Sequence, residues 1–295
     1  MPLRKTLIIN LSNNAIEYIK KMAENYSCSI RRDNADFYLM YYLNFQAQAA
    51  ALFKVANGLG IDASSKVVEI GSGIGTRCML LNGIFQCDIT GLEPHPKTYS
   101  ALSNCISEMI MCNPHLFYIP LDRCGESTGL KSLEYDYILS YEVLEHVYDP
   151  KKVIMETYRL LKPGGKAFFS TCNYASFYEG HYRILWNPFA SRAECKRRIV
   201  SLALNPDFMD ELNFVTKRQL VSYVEEAGFS KISFNPVYPD VATPNISSCF
   251  PQGFALPLQL LGRPTFLQKV IQKHSIARIL SLFDREYKLY VELVK

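Results

Sequence analysis

Glycines at positions 71, 73 and 75 alternate with Ser72 and Ile74, directly after an apolar run, Val67-Val68-Glu69-Ile70, that carries one acid. Glycines at that spacing let bare backbone approach a flat ligand, so this segment is suited to binding. Two other groupings could handle protons or metal ions. Glu142, Glu145 and His146 stand three and four residues apart, separations that share one face of a helix. Two carboxylates and an imidazole can hold a magnesium-type ion, and an imidazole titrating near neutrality can take a proton from a hydroxyl. A further run, Tyr178-Glu179-Gly180-His181-Tyr182-Arg183, is followed closely by Trp186. Its aromatic rings could stack on a sugar while His181 and Arg183 bind hydroxyls or phosphates, or the rings could pack a loop on itself.

What the glycine loop lacks narrows its ligand. A dinucleotide fingerprint, Gly-x-Gly-x-x-Gly, places its third glycine one residue later than Gly75, and the Gly-Lys-Ser/Thr of a P-loop is absent. Glu69 would repel a diphosphate but suits a ligand bearing positive charge, such as the amino group and sulfonium of S-adenosylmethionine. A second short apolar stretch, 88–93, ends in Glu93 before Pro94 and Pro96 turn the chain. A carboxylate at the end of the strand beside the loop can accept both hydroxyls of a ribose. An acid there could instead cap the next helix, but after such a loop ribose binding is the stronger expectation.

These residues need strands that end at one edge, with helices between them. Strand and helix patterns alternate with short turns from about residue 60 to 172, the mark of a parallel sheet. With these motifs the chain resembles the Rossmann-like S-adenosylmethionine-dependent methyltransferases of the first structural class. Residues 135–140 match that family's fourth strand and 141–147 its following loop and helix. Leu161-Lys162-Pro163-Gly164-Gly165 matches the turn before the fifth strand at 166–171; 214–229 match the helix leading to the sixth strand, and 290–295 the seventh. The resemblance covers about 45–240 and that tail. It implies an α/β, doubly wound, mostly parallel seven-stranded sheet with helices on both faces and an antiparallel last strand.

By the same resemblance, Glu69, Gly71, Ser72, Gly73 and Gly75 line the methionine and ribose side of the donor. Glu93 holds the ribose hydroxyls, with Pro94 beside the adenine. Asp122, after a strand at 117–120, contacts the adenine amino group with Arg123 near it, and Ser140 and Tyr141 approach from the fourth strand. Methyl transfer from a sulfonium mainly requires an in-line approach, which can be worth about 7 to 11 kcal/mol. An oxygen acceptor must also lose a proton. His146 is the expected base, with His181 a second catalytic candidate, although in this family the equivalent histidine often only supports the donor pocket.

Small-RNA 2′-O-methyltransferases and ubiquinone-pathway O-methyltransferases use a similar Glu-x-x-Glu-His pattern for a metal, so Glu142, Glu145, His146 and His181 form an alternative Mg2+ set. Otherwise the two acids simply favour a helix N-terminus. The 178–188 stretch looks like a segment of methyltransferases encoded with bacterial surface-polysaccharide synthesis. The expected reaction is therefore O-methylation of a small molecule or saccharide, with Tyr182, Arg183 and Trp186 on the substrate. A metal-assisted RNA enzyme and a non-catalytic binding module are the rivals.

At 295 residues and 48% hydrophobic character the chain can bury a large core, as one domain with elaborations or at most two. The expected division is a helical, aromatic-rich N-terminal lid region at 1–60, whose aromatics are chiefly helix core. The catalytic domain follows at 61–295, with insertions at about 173–213 and 239–287. No uncharged apolar window of about 18 residues suggests a membrane span. The N-terminus lacks a signal-peptide pattern, so a cytoplasmic location is expected. Nine cysteines without a Cys-x-x-Cys fit reduced thiols. A net charge of +4, with one basic block at 196–198, gives no support for nucleic acid as partner. Residues 266–283 read as a basic amphipathic helix that could cover the sheet or rest on a membrane surface. Oligomeric state leaves no mark in the sequence.

Overall fold

The computed structural model describes residues 9–30, 35, 39, 42–95, 100–236, 284 and 287–295. Seven strands form one sheet: β1 Lys66–Ile70, β2 Asp88–Leu92, β3 Ile119–Leu121, β4 Tyr135–Tyr141, β5 Leu161–Cys172, β8 Lys231–Phe234 and β9 Lys288–Val294. A separate two-stranded hairpin pairs β6 Tyr178–Glu179 with β7 Ile184–Leu185. The spatial order is β3-β2-β1-β4-β5-β9-β8. Strands β3, β2, β1, β4 and β5 are parallel, and β9 runs antiparallel to both neighbours. The expected seven-stranded sheet with its antiparallel last strand is present.

The strands read as apolar on both faces because helices cover both. Val67, Leu139 and Phe168 point into one core, while their immediate chain neighbours Val68, Ile138 and Phe169 point into the other. Helices Asn13–Ile30, Phe45–Leu59, Thr76–Phe85 and Ser100–Cys112 supply the first core, and Pro150–Leu160 and Lys217–Ala227 the second. Asp149 caps Pro150–Leu160 by accepting from the backbone N–H groups of Lys151 and Lys152, and Pro150 takes the first helical position. The order reverses between β1 and β4, which opens a crevice at their carboxyl ends.

The 173–213 insertion has a core of its own. It comprises the hairpin, a helix Arg192–Ser201 with a Ser191/Glu194 capping box, and a 3-10 turn Asp207–Glu211. Tyr182, Trp186, Phe208 and Met209 fill it. Of the aromatic segment at 37–43, Leu39, Tyr42 and Leu43 are described, and they pack against the first core. Residues 239–287 lie outside the described residues except for Asp284 and Tyr287, so the amphipathic segment 266–283 falls there too. Among the described residues eight cysteines are free thiols, with Cys78, Cys87 and Cys105 buried and Cys112 half-buried. No described helix is long and apolar enough to cross a membrane.

One local expectation fails. Residues 142–147 do not begin a helix; they form a single turn in which His146 and Val147 both donate to the carbonyl of Val143. Glu142 takes a left-handed φ of 57°, which no helix admits, and helix starts only at Pro150.

Candidate active site

The glycine loop crosses the carboxyl end of β1 with positive φ at Gly71, Gly73 and Gly75. A Cβ at Gly71 would lie 2.2 Å from Cγ2 of Val143, and one at Gly75 would lie 2.0 Å from the Tyr118 hydroxyl. A Cβ at Gly73 would meet nothing within 4 Å. Packing thus demands two of the glycines, and the third leaves its space to the cavity. The Gly73 N–H donates to Oε2 of Glu93 at 2.8 Å, tying the loop to the end of β2. Burial raises the Glu93 carboxyl to about 7; the Gly73 N–H opposes this and the nearby Glu69 adds to it.

Glu69 sits beneath the loop, fully buried, and accepts from the Cys78 thiol at 3.1 Å and from Nη1 of Arg77 at 3.4 Å. Burial raises its pKa against the pull of Arg77 and Cys78. Its carboxylate grips the first turn of the following helix from behind. Arg77 also lies over the Tyr141 ring, 4.6 Å from its centroid. Ser72 and Ser140 are buried, Ser140 pairing in register with Ile70. Pro94 is exposed; Asp122 accepts from the backbone N–H of His95 at 2.8 Å and so joins the ends of β2 and β3. Arg123 is exposed, with Nη1 against Gly129.

Gly73, Glu93 and His146 line one cavity of about 370 Å³. The N-terminal helix contributes Met22, Asn25 and Tyr26 to the wall, and the 3-10 turn contributes Phe208 and Glu211. His146 is exposed, and its side chain lines this space. Desolvation by the surrounding protein atoms, and then His181 beside it, hold its pKa below the usual imidazole value.

His146 and His181 meet edge to face, ring centroids 5.0 Å apart, with their Nε2 atoms at 3.2 Å. Oε1 of Glu179 lies 2.7 Å from Nδ1 of His181. Burial works against a charged His181, but the Glu179 carboxylate outweighs it and raises the pKa. Glu145 is fully buried; its Oε2 accepts from the Thr171 hydroxyl at 2.7 Å, and its Oε1 has no hydrogen-bond partner among the described residues. Ligand atoms of Glu145, His146 and His181 lie within 4.8 Å of one another.

Glu142 belongs to a different arrangement. Lys288 on β9 reaches it at 3.0 Å and the Ser170 hydroxyl donates to it. Burial would raise the Glu142 carboxyl, but Lys288 and Ser170 hold it below the usual range. The four-residue metal set read from the sequence is therefore uneven: Glu145, His146 and His181 converge, while Glu142, committed to an ammonium, groups with Glu145 and the Cys172 thiol, their ligand atoms within 4.8 Å of one another.

The insertion requires a second correction. Tyr182 is 0% and Trp186 6% exposed. The Tyr182 hydroxyl donates to the carbonyl of Asn205 at 2.7 Å, and Trp186 packs edge-on against Phe214 and Tyr174. Neither ring faces the cavity, because the two-stranded hairpin turns both into the third core. Arg183 is half-buried at a left-handed φ of 56° in the hairpin turn. Sequence reasoning missed Glu179, Phe208, Glu211 and the inner face of helix Asn13–Ile30. For Glu179 a signal existed: an acid two residues before a histidine, across a glycine.

A family profile described as a methyltransferase domain matches residues 42–233. A ubiquinone biosynthesis O-methyltransferase from Histophilus somni (strain 2336) is 28% identical over 166 residues, 56% of this chain and 65% of the relative. One of the same name from Pseudomonas savastanoi pv. phaseolicola is 55% identical over 40 residues, 14% of this chain, so that only 17% of the relative's length is spanned. Among solved structures, Haemonchus contortus phosphoethanolamine N-methyltransferase 2, in complex with phosphomonomethylethanolamine and S-adenosylhomocysteine, aligns with a TM-score of 0.52 at 14% identity, over 84% of this chain and 52% of that one. An S-adenosylmethionine-dependent methyltransferase from Mesorhizobium loti aligns at 0.50 and 15% identity, over 85% and 100%. At such identities these structures speak to the fold alone.

Proposed function

The chain belongs to the methyltransferase-domain family, and from that membership we propose that it binds S-adenosylmethionine and transfers the methyl group to an oxygen of a small-molecule or saccharide acceptor. One observation carries this reading: Gly73 and Glu93 share a single cavity with His146. A donor cradle and a proton-handling imidazole thus border one space. The N-terminal helix and the 3-10 turn act as the lid, excluding water from the sulfonium and leaving aromatic and apolar walls for the acceptor. Calorimetry with S-adenosylmethionine tests the donor, and no binding at about millimolar concentration defeats the proposal. Transfer to hydroxyl acceptors separates it from a non-catalytic module, which would bind the donor and methylate nothing. Transfer to amines alone would remove oxygen as the target.

A metal-assisted form of the same reaction has specific support in Glu145. A fully buried carboxylate oxygen without a hydrogen-bond donor is costly, and one ring nitrogen from each of His146 and His181, within 4.8 Å of a Glu145 carboxylate oxygen, supplies the remaining ligands of a cation site. Glu145, His146 and His181 would hold the ion. One carboxylate with two imidazoles suits a first-row transition ion better than Mg2+, which prefers oxygen ligands. Such an ion, when bound, would make an acceptor hydroxyl more acidic. Activity lost to a chelator and restored by Mn2+ selects this form; activity indifferent to the chelator leaves His146 as the base. RNA as acceptor requires binding that weakens steeply with salt.

A further inference from the structure

We infer that Glu179 is a positioning residue of this site, orienting the His181 ring so that its Nε2 is delivered to the ion that Glu145 and His146 share. The inference rests on the metal-assisted reading above. Glu179 is 2% exposed, and a carboxylate so deeply buried must be fully engaged. Its Oε2 accepts the backbone N–H of Tyr182 at 2.7 Å, which anchors the carboxylate to the hairpin turn. Its Oε1 lies 2.7 Å from Nδ1 of His181 and receives the Tyr174 hydroxyl at 3.4 Å. The residue between has no slack, since a Cβ at Gly180 would fall 1.6 Å from the Tyr287 hydroxyl. Backbone, glycine and carboxylate together leave the ring one orientation.

Chemistry follows from that orientation. With Nδ1 donating to a carboxylate, a neutral imidazole carries its lone pair on Nε2. That atom lies 3.2 Å from Nε2 of His146, and each of the two rings offers a nitrogen within 4.8 Å of a Glu145 carboxylate oxygen. Carboxylates that bond the far nitrogen of a ligating histidine fix its tautomer and typically change metal affinity about 10- to 100-fold. A merely structural Glu179 would hold the hairpin and leave metal binding alone.

The test is Mn2+ calorimetry on the full chain, comparing the unmutated protein with Glu179→Gln. The substitution keeps size but replaces one accepting oxygen with an amide NH2 and removes the charge, so the melting temperature should fall modestly while S-adenosylmethionine affinity stays near that of the parent. Mn2+ affinity should fall about 10- to 100-fold. Equal Mn2+ affinity in both proteins overturns the role of Glu179 and leaves the metal-assisted reading standing. No Mn2+ binding by the unmutated chain overturns that reading itself, and the inference with it. A second measurement avoids mutation: with 15N-labelled histidine and Zn2+, His181 should ligate through Nε2 with its proton retained on Nδ1. Ligation through Nδ1 refutes the inference.

Discussion

The backbone N–H of Gly73 donates to Oε2 of Glu93 across 2.8 Å, so the loop after β1 and the end of β2 act as one unit. A carboxylate accepts ribose hydroxyls best when ionised, and burial raises Glu93 to about 7 against the opposing Gly73 N–H. Donor affinity should therefore strengthen from about pH 6 to about pH 8, as Glu93 loses its proton. Glu93→Gln should weaken binding at the higher pH and flatten the profile. Calorimetry across that range checks it; a pH-independent affinity in the unmutated protein would contradict the assignment.

Two glycines of the same loop should fail differently. Alanine at Gly71 would place its methyl 2.2 Å from Val143 at a φ of 76°, so overpacking and left-handed strain combine. A loss of about 2 to 4 kcal/mol is expected. At Gly73 the φ of 54° lies within the left-handed region and the space is open, so only about 1 to 2 kcal/mol is lost. There the methyl enters the cavity, and donor affinity should drop at least about tenfold, or 1.4 kcal/mol. Melting curves and donor titration separate the two. A Gly73→Ala protein that binds the donor normally would show that this cavity is not the donor's.

The sheet and its loop were legible because they depend on local pattern. Apolar runs such as Val67-Val68 fit a strand buried on both faces, and Gly71, Gly73 and Gly75 mark left-handed backbone that side chains rarely adopt. The turn at 142–147 was misread because Glu-x-x-Glu-His has helical spacing, while its conformation is set by distant partners, Lys288 and Ser170 on β9 and β5. No periodicity encodes such partners. His146 and His181, 35 residues apart, meet only because the insertion folds back over the sheet edge. Tyr182 and Trp186 illustrate the converse, since rings that could stack on a sugar equally satisfy an excursion that needs a core of its own.

Away from the site, Glu156 stitches the loop before β4 to helix Pro150–Leu160. It accepts the Thr128 backbone N–H and hydroxyl at 2.9 and 2.6 Å, and Arg159 through both Nε and Nη2 at 2.7 Å. Burial would raise its pKa, but these donors carry it down to about 2. A carboxyl depressed on folding contributes stability above its unfolded pKa, and loses it as pH falls through the folded value. Glu156→Gln should then cost about 1 to 2 kcal/mol at neutral pH, with the Arg159 part discounted for solvent screening. The two proteins should converge in melting temperature between about pH 4.5 and about pH 2. A constant difference across that interval would mean that shape, not charge, is what Glu156 supplies.

Trp186 decides where the acceptor wall lies. Its ring packs edge-on against the stacked pair Phe214 and Tyr174, with centroids at 5.5 and 6.1 Å, and does not line the cavity. Trp186→Ala should cost about 3 to 5 kcal/mol, and Trp186→Phe less, because part of the volume is kept. In the Phe variant the acceptor KM should remain within about twofold, under about 0.4 kcal/mol. Tyr182→Phe should cost about 1 kcal/mol through the lost bond to Asn205, again without moving KM. Substitution of Tyr26, which does line the cavity, should have the reverse signature: a small change in melting temperature and a raised acceptor KM. If KM instead rises in Trp186→Phe and not in the Tyr26 variant, the acceptor reaches the insertion by a route other than this cavity, and the N-terminal helix does not act as its lid.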